Sequence, residues 1–293
     1  MIALVSLLLV TPAAVDMQAL LNRVAEEAEI FHQNIALVVG EETLKQRAQK
    51  RQGRFRPRVG TAAPAEVNFQ TRELKSEYAV ASFKESNGEF HEVRKVTHVD
   101  GREIQKLREA RMSLAMGMKS DDDKLRRKLL LEFEKHGLIG TAVDFGLNLL
   151  LFRKQPMHNF TFTVLGTRRL GADTAIVLRF QQKSGEAGMS VFEGNKLIRQ
   201  QLQGELWLGP TGVPLRIELG AGFREDGGPV IVDIGVTDYT MSQFGFLLPS
   251  TVVHTRKADG QLVAENVFHY LRFQKFAADS ELKFEVQEDP SKK

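Results

Sequence analysis

The most constraining feature of the sequence is a pattern that recurs seven times between Asn159 and Phe276. Each repeat is a run rich in Val, Ile, Thr and aromatic residues, and Gly, Pro or Asp follows it. Such runs between turn residues are typical of β-strands. Several of the links are short turns, at residues 209–212, 226–229 and 258–260. Parallel strands need a crossover of about a dozen residues or more, so we predict a large antiparallel sheet. We place its strands near residues 159–168, 174–182, 197–208, 213–222, 230–240, 247–256 and 262–276.

The N-terminal half predicts further strands together with helices. Asp16 is placed to cap a first amphipathic helix. Ser120 and Asp123 have the spacing of a capping box at the start of a later helix. Three methionines cluster near the end of the helix between these two, and they fit either core filling or an adaptable ligand surface: Met112, Met116 and Met118. We predict strands near 34–43, 73–84 and 90–99, and helices near 17–31, 103–118 and from 120 onward.

Residues 138–152 form an apolar segment of helical length in which only Asp144 and Asn148 are strongly polar. A helix that is apolar all round is buried on every side or inserted into another structure. The 15 residues of this segment fall short of the roughly 20 that cross a bilayer. We therefore predict a buried helix here, enclosed by the sheet.

Residues 1–15 resemble a secretory signal. A nine-residue apolar run, 2–10, precedes small residues of the kind found at cleavage sites. The alternative is a buried N-terminal strand or helix. The sequence contains no cysteine, which suits a soluble protein in an oxidising compartment. We predict a signal peptide at 1–15, a single domain at 16–293, and a periplasmic or secreted protein.

Charge is concentrated in one stretch. The 40 cations and 37 acids of the chain nearly balance, which implies little about partners. Residues 45–58, however, contain seven cations and no acid. This run fits either a solvated loop or a contact with an anionic membrane surface or an acidic partner. Phe55 alone interleaves the cations, so a nucleic-acid partner is not expected. The residues predicted to contact an anionic surface are Arg51, Arg54, Arg56 and Arg58.

The sequence lacks the motifs of common catalytic and cofactor sites. No pair among its seven histidines has the i, i+4 spacing of a helical zinc site. The nucleophile elbow Gly-x-Ser-x-Gly, the phosphate-binding loop and the dinucleotide fingerprint are also absent. We predict a protein without enzymatic activity, metal or cofactor.

Trp207 is the single tryptophan, and it lies on a strand that carries apolar residues on both faces. Leu206 and Leu208 point away from Trp207, because side chains alternate along a strand. Such a strand packs on a helix with one face and meets a second layer or a ligand with the other.

Residues 204–216 read Gly-Glu-Leu-Trp-Leu-Gly-Pro-Thr-Gly-Val-Pro-Leu-Arg. This run resembles the strand-turn-strand hairpin of the lipoprotein-carrier family of LolA and LolB. Residues 90–104 are similar to secreted relatives of that fold, and the resemblance covers most of residues 17–276. It implies an α+β protein with a large curved antiparallel sheet. This half-barrel of about 10–11 strands is expected to wrap around helices or to be capped by them.

The resemblance also implies a cavity for acyl chains, lined by aromatic residues, with a helix as its lid or plug. The residues predicted to meet a hydrophobic ligand are Phe145, Leu149, Phe152, Phe162 and Trp207. We therefore predict a non-catalytic envelope protein that binds a lipid or a lipoprotein acyl chain. The alternative is a structural or protein-interaction domain whose half-barrel is filled by its own side chains.

Overall fold

The computed structural model describes residues 16–50, 68–84, 88–120, 122–138, 144–183, 189–193, 196–224 and 228–276 of the chain. The predicted signal at 1–15 and the four arginines Arg51, Arg54, Arg56 and Arg58 lie outside the described residues.

Strands dominate the described part of the chain. In chain order they are β1 Val38–Gln49, β2 Phe69–Ser82, β3 Phe90–Val99, β4 Arg102–Glu103, β5 Phe160–Leu170, β6 Asp173–Gln182, β7 Met189–Glu193, β8 Lys196–Gln200, β9 Gln203–Leu208, β10 Pro214–Arg224, β11 Val230–Met241, β12 Leu247–Ala258 and β13 Gln261–Lys275.

Eleven of these strands form one open antiparallel sheet, in the order β4-β3-β2-β1-β13-β12-β11-β10-β9-β6-β5. The strands β7 and β8 form a separate two-stranded sheet. Strand β1 pairs with both β2 and β13. The sheet strands that come first and last in the chain therefore lie side by side. The predicted α+β architecture with a large curved antiparallel sheet is confirmed.

The first helix, α1, spans Met17–Asn34 and buries one face. The Asp16 side chain accepts a hydrogen bond from the backbone N–H of Ala19 over 3.1 Å, as the predicted cap requires. The buried apolar residues recur at helical spacing, and their ridge fixes which side of α1 meets the sheet: Leu20, Val24, Ala28 and Phe31.

The two faces of the sheet carry different helices. The face of Tyr78, which we call the inner face, packs against α1 in the main hydrophobic cluster. The neighbouring Ala79 points to the opposite, outer face, because side chains alternate along β2. On that face it meets Leu114 and Leu129. These leucines belong to the second and third helices, α2 Leu107–Lys119 and α3 Asp123–Leu130, which precede the short α4 Glu132–His136.

The predicted helix at 138–152 is wrong in its type. Its described portion is a 3-10 helix, Phe145–Phe152, which we call the inner 3-10 helix. Asp144 precedes it with φ of 69°, a left-handed conformation that interrupts regular α-helix. Leu149 and Phe152 are fully buried in the inner-face cluster, so the predicted burial against the sheet is found. Residues 139–143 lie outside the described residues.

Two other local predictions are corrected. The strand predicted at 197–208 is divided between β8 and β9, which belong to different sheets. The Gln182 side chain accepts from the Leu202 N–H over 3.0 Å, at the point where the division occurs. The cap of α3 is Asp122, not Ser120, because the Asp122 carboxylate accepts from the Lys124 N–H at 2.9 Å.

Gly235 on β11 makes room for the inner 3-10 helix. A Cβ atom at this position would lie 2.1 Å from Cδ1 of Phe145. We expect Gly235→Ala to lower the free energy of unfolding by about 1–3 kcal/mol, since the Phe145 ring must shift. Gly220→Ala on β10 is the matched control, because its Cβ would meet its nearest neighbour at 3.7 Å. Urea unfolding followed by circular dichroism measures both; equal losses would contradict this account of Gly235.

Candidate functional site

An open cleft of about 600 Å³ lies between the start of β3, the inner 3-10 helix and the C-terminal part of α1. Its apolar lining is Phe90, Leu147, Leu150, Leu151, Pro156, Phe160, Leu202 and Leu219. Its polar lining is His32, Glu89, His91, Asp144, Asn148, Arg153, Asn159 and Gln182, and Gly88 completes the wall. Its volume lies within the roughly 300–1,000 Å³ of known ligand pockets. The cleft therefore combines an apolar lining with several ionisable groups.

The sheet holds the inner 3-10 helix through hydrogen bonds to its backbone. The Tyr239 hydroxyl donates to the carbonyl of Gly146 over 3.1 Å and accepts from the N–H of Leu149 over 3.0 Å. The Thr237 hydroxyl donates to the Phe145 carbonyl at 2.8 Å. A 3-10 helix leaves backbone groups without regular partners, and these side chains supply them. Side chains of β11 thus hold the inner 3-10 helix, which lines the cleft, in place.

The polar wall of the cleft includes an ion pair at the edge of β3. Nδ1 of His91 lies 2.9 Å from Oδ2 of Asp144. The hydrogen bond that His91 donates to the Asp144 carboxylate raises the pKa of His91, against the opposing effect of burial. The other oxygen of Asp144 accepts from the N–H of Glu92 over 2.7 Å. Asp144 therefore both favours the protonated form of the imidazole and accepts from a backbone N–H of β3.

A second charged group lies on the α1 side of the cleft. Nε of Arg153 lies 3.2 Å from Oε2 of Glu29. Burial lowers the pKa of the neighbouring His32, and the positive charge of Arg153 lowers it further. The cleft thus presents a guanidinium and a second imidazole close to the leucines of the inner 3-10 helix.

A buried charge network lies deeper on the inner face. Arg94 is 2% exposed and binds two buried carboxylates, those of Glu42 and Glu92. Its Nε contacts both oxygens of Glu42 at 2.9 Å, and Nη2 lies 2.7 Å from Glu92 Oε2. The guanidinium also lies 4.5 Å from the ring centroid of Phe133. A cation at this depth is tolerated because carboxylates and aromatic faces surround it.

Glu92 connects this network to the inner 3-10 helix. Its Oε2 accepts from the N–H of Asp144 at 2.8 Å, and its Oε1 accepts from Gly146 at 3.1 Å. The Tyr78 hydroxyl donates to the same Oε1 over 3.1 Å. Burial raises the pKa of Glu42, although Arg94 opposes this effect. Burial also raises the pKa of Tyr78, so its hydroxyl remains a donor.

The alternation of side chains along β3 indicates this buried network in the sequence. Glu92 and Arg94 alternate with Val93 and therefore share a face with the buried Val96. Two charged residues on an apolar face indicate a buried pair, and sequence reasoning did not select them.

The residues predicted to bind a hydrophobic ligand do not all meet. Four lie on the inner face: Phe145, Leu149, Phe152 and Phe162. Leu149 and Phe152 are fully buried, and the Phe152 and Phe162 rings are 6.2 Å apart. Trp207 is on the outer face with Ala175 and Val177, so the sheet separates it from the other four. The leucines that face the cleft are their sequence neighbours, Leu147, Leu150 and Leu151.

A second buried polar chain lies beneath Phe145. Nε2 of His254 lies 2.8 Å from Oδ1 of Asp233, and Asn266 contacts the other ring nitrogen at 2.9 Å. Arg256 binds both oxygens of Asp233 over 2.9 Å. Burial alone would raise the pKa of Asp233, but hydrogen bonds from His254 and Arg256 lower it to about 2.

In the described ranges of the chain, no group of three or more His, Asp or Glu side chains is arranged to hold a metal ion. Among the described helices, none has the length and apolar character needed to cross a membrane.

Comparison with solved structures gives similar folds at low identity. The chain is similar to a DUF1329 family protein from Desulfovibrio piger, at 10% identity and a TM-score of 0.38, covering 91% of this chain and 97% of the other. It is also similar to a putative outer membrane lipoprotein-sorting protein domain from Vibrio parahaemolyticus, at 9% identity and a TM-score of 0.36, covering 90% and 94%. A LolA superfamily protein from Nitrosomonas europaea matches at 9% identity and a TM-score of 0.32, covering 87% and 92%.

No protein-family model and no curated protein sequence matches the chain. All three TM-scores are below 0.5.

We expect Arg94→Met to lower the free energy of unfolding by about 3–5 kcal/mol, because Glu42 and Glu92 would remain buried without their cation. Arg168→Met is the control, since Arg168 forms an exposed ion pair with Glu205 and such pairs contribute about 1 kcal/mol or less. Denaturant unfolding measures both variants. A loss for Arg94→Met no larger than that of the control would show that the network is not stabilising.

The lowered pKa of Asp233 predicts a loss of stability in acid. Its carboxylate stabilises the fold above its unfolded pKa of 3.8, and this contribution disappears as the pH falls through about 2. The contribution amounts to about 2 kcal/mol. The stability difference between the wild type and Asp233→Asn should therefore shrink over that interval. Exposed Asp173→Asn is the control; an unchanged difference for Asp233→Asn in urea titrations across this pH range would refute the prediction.

Proposed function

We propose that this protein is a non-catalytic, periplasmic or secreted envelope protein that binds the acyl chain of a lipid or lipoprotein in the cleft. The observation that carries the proposal is the open apolar wall of the cleft, formed by Leu147, Leu150 and Leu151. It lies next to the core of the inner face, which the chain fills with its own side chains. Burying each ligand CH₂ there would contribute roughly 0.8 kcal/mol. The resemblance of residues 204–216 to lipoprotein carriers favours the same class of ligand.

The charged groups around the cleft support an amphiphile over a simple hydrocarbon. Arg153 places a guanidinium beside the apolar wall, and His91, whose pKa is raised by its hydrogen bond to Asp144, also lines the cleft. Such groups can bind a carboxylate or phosphate head while the chain lies on the leucines. The apolar contacts supply most of the affinity, and the charged groups orient the ligand.

A structural role is the second candidate, and the filled inner face favours it. Leu149, Phe152 and Phe180 are fully buried between the sheet and its own segments. An interaction domain of this kind would use the sheet as a scaffold and leave the cleft filled only by solvent. The two candidates differ in whether the cleft takes up an acyl chain.

A dansyl-labelled fatty acid, displaced by unlabelled lysophosphatidylglycerol, tests the carrier function. We expect saturable binding to the wild type. Leu150→Asp should weaken it about tenfold or more, because one leucine contact is worth roughly 1.5–3 kcal/mol. Leu271→Asp is the matched control, since Leu271 is 57% exposed on β13 and does not line the cleft.

Circular dichroism and urea unfolding must first show that both variants are folded. Binding that is absent in the wild type would favour the structural role. Equal affinity of Leu150→Asp and wild type would remove the cleft as the binding site. Native mass spectrometry after purification from the envelope would identify any lipid that remains bound.

A further inference from the structure

The helices α2 and α3 are anchored on the outer face by two arginines. Nε of Arg111 lies 2.9 Å from Oε2 of Glu77 on β2. Arg126 donates to the carbonyl of Ser82 at 2.8 Å and to that of Gly117 at 3.3 Å. Leu114 and Leu129 are buried beneath the helices. These contacts hold one side of the helical pair against the sheet and leave the opposite side exposed.

The exposed side of α2 carries methionines between cations. Arg108, Met112, Met116 and Lys119 recur at helical spacing and form one ridge. Met112 is 48% exposed and Met116 is 60% exposed. A row of large apolar side chains is unusual on a solvent-facing surface. It indicates a surface that contacts a membrane or another protein. Of the two roles that the sequence leaves open for these residues, the structure favours a surface role for Met112 and Met116.

The exposed side of α3 continues this surface. Leu125 and Leu131 are exposed, and so are Lys124 and Lys128, which lie one helical turn apart on α3. Among the described residues of 106–131 that are exposed, six are cations and two are acids. The cations are Lys106, Arg108, Lys119, Lys124, Arg127 and Lys128, and the acids are Glu109 and Asp122. We call this surface of α2 and α3 the basic-apolar surface.

The helices that carry the basic-apolar surface contact the sheet near the start of β3, which borders the cleft. Ser82, which accepts the hydrogen bond from Arg126, is paired with Phe90 at the start of β3. Phe90 and His91 both line the cleft. The Phe83 ring, buried under the helices, contacts the His91 ring with centroids 5.3 Å apart. Arg126 of α3 therefore lies near the start of β3, where the cleft begins.

We propose that the basic-apolar surface docks this protein on an anionic lipid bilayer. Interfacial helices bind by burying apolar side chains at the headgroup boundary while Lys and Arg contact anionic lipid. Met112, Met116, Leu125 and Leu131 supply the apolar contacts, and methionine adapts well to an irregular surface. Each cation close to the membrane strengthens binding roughly fivefold. Docking by this surface does not require that the cleft binds a ligand.

Flotation with vesicles tests the proposal. We expect the full chain to float with vesicles of phosphatidylcholine and phosphatidylglycerol in equal parts, and to bind pure phosphatidylcholine far more weakly. Lys124→Gln with Lys128→Gln should reduce binding about twentyfold, given two cations at roughly fivefold each. Arg169→Gln with Arg179→Gln removes the same charge from exposed positions on β5 and β6 and should bind like the wild type.

A single cysteine gives an independent readout, since the chain contains none of its own. A polarity-sensitive dye at Met116→Cys should shift to shorter wavelength with anionic vesicles, whereas the same dye at Thr163→Cys on β5 should not. The docking proposal is overturned if the wild type fails to float, if the two double variants lose binding equally, or if neither dye responds. Displacement of the dansyl fatty acid should be unchanged in the Lys124 and Lys128 variant, so docking and cleft binding fail separately.

Discussion

Glu92 is the point at which the sheet and the segment that fills it are joined. Its carboxylate accepts from the backbone of Asp144 and Gly146 and is paired with Arg94, which in turn binds Glu42 on β1. Removing charges from water is costly, so the group of three persists only because its lone pairs and protons have partners. The position of the inner 3-10 helix, and with it the wall of the cleft, follows from these contacts.

The inner 3-10 helix both fills the core and lines the open cleft. The inner 3-10 helix directs Leu149 and Phe152 into the core, while Leu147, Leu150 and Leu151 line the cleft. A segment that is apolar on all sides can serve both roles, since each of its faces meets a different apolar neighbour. The deep interior of the sheet is consequently occupied by the chain itself, and the space for a ligand lies at its margin.

Much of the fold could be predicted, because strand alternation and turn residues act locally. Strand β3 has the predicted limits, and Asp16 caps α1 as expected. The type of the helix at 145–152 could not be predicted, because it depends on Tyr239 and Thr237, which are about 90 residues distant. The cleft was missed for the same reason. Strand β7 reads Met-Ser-Val-Phe-Glu, which does not alternate strictly between apolar and polar residues, so periodicity does not identify it.

The pairing of β1 with β13 affects the order in which the protein folds. Val38 is partnered by Lys275, so the centre of the sheet unites the two ends of the described chain. Pairings of such long range close late and slowly, since a large loop must be ordered before any contact forms. Almost the whole polypeptide must therefore be synthesised before β1 and β13 can pair. Until then, the edge of β1 that pairs with β13 in the finished sheet has no strand partner.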